Sequence, residues 1–141
     1  MKRRALLATA GATLAGGAGC LGTLGSGGAS CGSDCDVGMS TNAFLPEEYE
    51  VPVGTTVVWK NTSSRAHTVT AYEQGIPDDA TFFASGGFES ESAARDGWRD
   101  LDGGIDPNET YEQTVEVPGT YQYFCIPHER GGMVGKLVVT E

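Results

Sequence analysis

The stretch FCIPHERGGMVG, Phe124 to Gly135, sets a cysteine, a histidine and a methionine in one short loop. Cys125 comes first, His128 follows at i+3, and Met133 comes five residues later. The chain's other histidine, His67, opens a β-like stretch after the polar turn NTSSRA. Together these residues offer one thiolate, two imidazoles and one thioether. A thiolate and two neutral imidazoles in a trigonal array, with a weak axial thioether, are the ligand set of a blue copper centre. The soft sulfur ligands favour Cu(I), and imidazole suits both oxidation states. A rigid mixed set therefore lets the metal change charge with little ligand movement, as fast electron transfer requires. Pro127 restricts the backbone between Cys125 and His128. Gly131 and Gly132 are placed to turn the chain so that Met133 returns to the same point. The plainer reading is a buried thiol, a surface imidazole and a core thioether that are neighbours by chance. Met commonly fills core gaps, and a lone strand-end histidine such as His67 is more often structural. A zinc site of one Cys and two His is a further alternative, against which Met133 counts, because zinc gains nothing from a thioether.

Four cysteines stand at 20, 31, 35 and 125. The first twenty residues read as an export signal. Lys2, Arg3 and Arg4 precede a mild apolar run that ends in small residues before Cys20. That run is too short and too glycine-rich for a membrane span. The paired arginines indicate a twin-arginine signal, with an ordinary Sec signal as the alternative. GAGC, Gly17 to Cys20, is similar to a lipoprotein cleavage box, making Cys20 the candidate lipidation site; cleavage without lipid is the other reading. The span 21–36 is assigned to a flexible Gly/Ser tether. Export means an oxidising compartment, where Cys31 and Cys35 are close enough in sequence to bridge. Half of a second metal site is the alternative for that pair, but no ligands remain to complete it. Cys125 is then left over, and metal ligation is a reason for it to stay reduced.

Without Lys2, Arg3 and Arg4, the nine basic residues fall to six against nineteen acidic ones, a net charge of −13. Nucleic acid is excluded as a partner by that sign. Solubility in high salt explains the acids, and a steering patch for a basic partner is the functional alternative.

Residues 37–141 form the expected domain. Val37–Phe44, Glu48–Val53, the stretch from Thr55 to Asn61, His67–Tyr72, Thr110–Val117, Thr120–Cys125 and the stretch from Met133 read as strands separated by Gly/Pro turns. Tyr121, Tyr123 and Cys125 share one face by period two. Seven or eight short strands argue for an all-β antiparallel sandwich or barrel. Gly75 to Gly104 breaks the alternation and is expected to cross between two sheets, with a short helix near Ser90–Arg95 that has Ser90 or Glu89 near its start.

CIPHERGGM matches the C-x2-H-x4-M signature of plastocyanin-like cupredoxins. FLPEEYEVPVGTTVVWKN, Phe44 to Asn61, resembles a second block of that family, F-x-P followed by V-x-x-G-x-T-V-x-W-x-N. The chain most resembles halocyanins, the membrane-anchored blue copper proteins of salt-loving archaea. The resemblance covers Val37 to Glu141. It implies a cupredoxin Greek-key β-sandwich and one type 1 copper ion, cycling between Cu(I) and Cu(II), held by His67, Cys125, His128 and Met133. It also implies that Thr68 ties the two ligand loops together and donates toward the cysteine sulfur. His128 becomes the surface route for electrons, and Phe124 the aromatic of a second route. Two departures stand out. The connection after His67 is long, and Glu129 and Arg130 place charge where the family often has an apolar docking patch.

The expected function is a one-electron carrier in a membrane-associated chain, anchored to the outer face of the cell membrane. It is expected to be a monomer that meets a protein redox donor and acceptor in turn. Extracytoplasmic copper delivery is the alternative. An enzyme such as an oxidase or nitrite reductase needs a second copper centre with more histidines, and the chain has only two.

Overall fold

The stretch Thr55–Asn61 buries Val57, Trp59 and Asn61 and turns Thr56, Val58 and Lys60 outward. That alternation is what a strand with one face on a core requires. The computed structural model describes residues 31–141. The export signal, Cys20 and the first part of the tether lie outside the described residues.

Eight strands form: β1 (Val37–Met39), β2 (Phe44–Leu45), β3 (Glu48–Pro52), β4 (Thr55–Asn61), β5 (Thr70–Ala71), β6 (Thr110–Val115), β7 (Gly119–Phe124) and β8 (Val134–Thr140). They make two four-stranded sheets, in the orders β2-β1-β4-β6 and β3-β8-β7-β5. The pairs β1–β4 and β3–β8 are parallel and the rest antiparallel. The stretch expected as one strand from Val37 to Phe44 is instead two. The Ser40 N–H and Oγ–H both donate to the Ala43 carbonyl, folding the chain back into β2.

The inner faces meet in an aromatic core. Trp59 packs edge-on against Tyr123, with centroids 5.4 Å apart, and Phe44 meets the same ring at 4.7 Å. Val37, Met39, Val57, Leu137 and Val139 fill the space between. Gly135 on β8 leaves room for the Tyr123 ring, since a Cβ there would lie 2.7 Å from its Cε2.

The strand expected over His67–Tyr72 is only Thr70–Ala71. The chain beyond it leaves the second sheet and returns to the first at β6. On the way, Phe83–Ser85 runs beside β5: the Ala71 N–H donates to Phe83 C=O at 3.0 Å, and the Ser85 N–H to Val69 C=O at 2.7 Å. This covers an otherwise open sheet edge. The helix α1 spans Glu91–Trp98, three residues past the expected end. Ser90 caps it by accepting from the Ala93 N–H at 3.0 Å.

Of the span assigned to the tether, Cys31–Asp36 is described, and there the chain is folded. Cys31 and Cys35 form a disulfide around a 3-10 turn, Gly32–Asp34. The Asp36 carboxylate accepts from the Val58 N–H at 2.9 Å and from the Tyr49 hydroxyl at 3.2 Å.

Candidate metal centre

Two loops at one end of the sandwich carry the donors. The first begins where β4 ends. Asn61 is fully buried, and its side chain is a four-way bracket. Its amide group donates to the carbonyls of Arg65 (2.6 Å) and Ile105 (2.8 Å). Its Oδ1 accepts from the Ser63 N–H and the Ser63 hydroxyl, both at 2.8 Å. The turn so held leads into His67, whose backbone exchanges two hydrogen bonds with Ile105, at 3.2 and 2.7 Å. His67 therefore sits in a two-residue bridge to the end of the crossover and not in a strand of its own.

The second loop follows β7. Ile126–Gly131 forms a 3-10 turn with Pro127 at its start. Gly132 ends it in the left-handed region at φ 93°, which a side chain would strain. Of the two glycines singled out in the sequence, only Gly132 is used this way. The loop closes on itself: the Cys125 N–H donates to Met133 C=O (3.0 Å), and the Met133 N–H to His128 C=O (3.2 Å). Met133 lies just before β8 and is fully buried.

The donors converge. Cys125 Sγ lies 3.5 Å from His67 Nδ1 and 3.4 Å from His128 Nδ1, and the three ligand atoms all fall within 4.8 Å of one another. Two donors about 2.0 and 2.3 Å from one shared metal would stand about 3.7 Å apart in a trigonal array, so the gaps nearly match a metal-sized site. Cys125 is buried and is the free cysteine among the described residues. With Met133 in the same loop, the donor set fits one type 1 copper ion in both its soft and its borderline partners.

Thr68 joins the loops. Its N–H points at Cys125 Sγ (3.4 Å), and its Oγ1 accepts from the Ile126 N–H (2.8 Å). Behind His67, Ser63 Oγ lies 2.9 Å from Nε2. Its neighbours Asn61 Oδ1 and Arg65 C=O can only accept, so the single hydroxyl hydrogen goes to one of them. Ser63 then receives a hydrogen from His67 Nε2. That favours the tautomer with Nδ1 unprotonated and facing the sulfur, the arrangement a metal ligand needs.

The electrostatics agree. Burial, followed by the nearby His128, pushes the His67 pKa down to about 4 against a raising bond from the Ser40 backbone. His128 is lowered by burial and by the Arg65 charge. Both imidazoles are therefore neutral at neutral pH and open to a metal. Burial raises the Cys125 thiol, with bonds from Thr68 and His128 acting the other way. A metal binding there must displace its proton.

Phe124 does not reach the surface. Tyr72 stacks on one side of its ring at 4.3 Å and the Arg95 guanidinium lies over it at 4.4 Å. Glu129 holds both covers, accepting from Arg95 at 2.7 and 3.1 Å and from the Tyr72 hydroxyl at 2.6 Å. This pulls the Glu129 carboxyl below its usual range, and burial, followed by the Glu129 bond, raises the Tyr72 phenol. Sequence reasoning missed Ser63, Tyr72 and Arg95. The Asx turn from Asn61 to Ser63 was a readable signal for the first. The Arg95–Glu129 contact left none.

A family model described as copper binding proteins, plastocyanin/azurin family, matches residues 33–140. The chain is 34% identical over 97 residues to plastocyanin of Vicia faba, covering 69% of this chain and 87% of that one. It is 37% identical over 97 residues to the chloroplastic plastocyanin minor isoform of Arabidopsis thaliana, covering 69% of this chain and 50% of that protein. The chain thus spans about half the length of the Arabidopsis relative. Among solved structures, amicyanin from Paracoccus versutus superposes with a TM-score of 0.52 at 28% identity, over 76% of this chain and 82% of that one.

Ser63→Ala is expected to keep the fold, at a cost of about 1 kcal/mol, but to release the His67 tautomer. Long-range nitrogen–proton NMR on the metal-free protein reads this directly. Wild type and Ser63→Thr should show Nε2–H alone, and Ser63→Ala a mixture. A single unchanged tautomer in Ser63→Ala would show that Ser63 does not set it.

Proposed function

The chain belongs to the plastocyanin/azurin family of copper binding proteins, and on that footing we propose that it is a one-electron carrier of the halocyanin type, anchored by lipid on Cys20 to the outer face of the cell membrane. One observation supports the electron-carrier reading: the donors of two separate loops are gathered within 4.8 Å of one another, and the loops are hydrogen-bonded to each other through Thr68. Copper, when bound there, supplies a one-electron couple between Cu(I) and Cu(II).

The protein's part is to hold that site still and reach it from outside. His67 is buried and locked through Ser63. Cys125 and Met133 are buried and exclude water. His128 is the half-buried ligand, and its ring edge offers a partner the shortest path to the sulfur-bonded centre. A delivery protein must let metal go, and loops cross-tied by Thr68 favour retention instead. The twin arginines, the lipobox-like GAGC and the acidic surface support the exported, membrane-anchored and salt-adapted reading. A monomer meeting a donor and an acceptor protein in turn suits a single exposed ligand edge.

Voltammetry of the copper-loaded protein should give one reversible one-electron wave, with no copper lost on cycling. Met133→Leu should keep copper and shift the wave to higher potential, because a weak donor to Cu(II) is lost. An irreversible wave that strips copper would favour delivery. A potential that is unchanged or lower in Met133→Leu would count against the axial thioether.

The anchor has its own test. Cys20→Ala should move the protein from the membrane pellet to the medium. Retention of the variant in the pellet would show that lipid on Cys20 is not what holds it.

A further inference from the structure

We propose that the rim around His128 docks a compact acidic patch on a redox partner protein, with Arg65 and Arg130 as its cationic contacts. The proposal rests on the electron-carrier reading and adds the chemistry of the partner. The exported chain has six basic residues against nineteen acidic ones. Four of the six are engaged in ion pairs: Lys60 with Asp34 at 3.6 Å, Arg95 with Glu91 and Glu129 at 2.9 and 2.7 Å, Arg99 with Asp96 at 3.8 Å, and Lys136 with Glu48 at 3.4 Å. The side chains of Arg65 and Arg130 are exposed and make no ion pair among the described residues.

Both unpaired cations stand at the end where the donors meet. Arg65 is in the turn that Asn61 holds, two residues before His67, and its charge acts on His128. Arg130 is two residues after His128 in the exposed part of the ligand loop. The one acid of that loop, Glu129, is withdrawn, because both its oxygens are taken by Arg95 and one also by Tyr72. The turns at 40–43 and 61–66, Ser-Thr-Asn-Ala and Asn-Thr-Ser-Ser-Arg-Ala, contain no acid. A molecule strongly negative elsewhere thus presents exposed positive charge beside its half-buried ligand, with no ion pair to it among the described residues.

The rim is bounded. Exposed Asp102 and Asp106 flank Ile105, which is bridged to His67. A broad anionic bilayer would press on those acids as well as on the arginines. A small acidic patch on a protein can meet the arginines alone, so the charge pattern favours a protein occupant.

The test uses oxidants of opposite charge on the copper(I)-loaded protein: hexacyanoferrate(III) and tris(phenanthroline)cobalt(III), by stopped flow at low ionic strength. In the double variant Arg65→Gln/Arg130→Gln the anionic oxidant should react about five- to tenfold more slowly, the gap closing in about 0.5 M salt. The cationic oxidant should react as fast or faster. Arg65→Lys/Arg130→Lys should keep the anionic rate, and Lys136→Gln should change neither. A copper-independent readout accompanies it. Hexacyanochromate(III), a redox-inert paramagnetic anion, should broaden amide signals of 64–66 and 128–131 in the metal-free protein, and fail to do so in the double Gln variant. Equal slowing with both oxidants, no slowing, or the same slowing in Lys136→Gln would overturn the proposal. So would sedimentation with phosphatidylserine vesicles that depends on the two arginines, which would assign the rim to a lipid surface. A protein oxidised by neither reagent would overturn the carrier reading, and the partner proposal with it.

Discussion

The metal centre depends first on Thr68. Its amide is aimed at the cysteine sulfur and its hydroxyl accepts the next amide of the other ligand loop. One residue therefore ties the two ligand loops directly to each other. Without that tie, the 3.5 Å approach of Cys125 to His67 would lose its direct hold and rest on the sheets and the crossover alone. Ser63 does the same work for orientation, and the bonds between Cys125, His128 and Met133 do it within the second loop. Donors held in place by the protein have little to rearrange when the charge at their centre changes, which is the structural condition for rapid electron exchange.

The long crossover serves this end of the molecule more than its length suggests. It covers β5 with Phe83–Ser85, and it returns at Ile105 to pin the backbone of His67 and to receive the Asn61 amide. In between, α1 sends Arg95 across Phe124 to Glu129. Both ligand loops are thus held from the same connection. The arrangement also settles where charge is visible. Glu129 is drawn down onto Arg95 and Tyr72, while Arg130, its neighbour in sequence, stays out. Phe124, beside the cysteine, is roofed by Tyr72 and Arg95, so His128 is the more open approach.

The four donors were legible because a thiolate, two imidazoles and a thioether at that spacing have few other joint uses. The sandwich was legible from period-two alternation in β4 and from Tyr121, Tyr123 and Cys125, all of which face inward. The helix start was legible from Ser90. Strand limits were less so: β5 shrank to two residues because His67 pairs with Ile105, a partner far off in sequence. The contact between Arg95 and Glu129 spans 34 residues and depends on how the crossover folds, which no local pattern encodes. The Arg95–Glu91 pair, at i,i+4 spacing, was open to sequence reading, yet it explains only half of what Arg95 does. Gly131 and Gly132 looked equivalent; only the backbone shows that Gly132 alone takes the left-handed turn.

The central claim is that His67, Cys125, His128 and Met133 converge on one copper ion through a cysteine thiolate. The most direct measurement is a visible and EPR spectrum of the metal-free protein after one equivalent of Cu(II). Intense blue absorption with a narrow copper hyperfine splitting is the predicted result. A pale spectrum with ordinary splitting would mean that the sulfur does not bind the metal as the geometry requires, and would contradict the account.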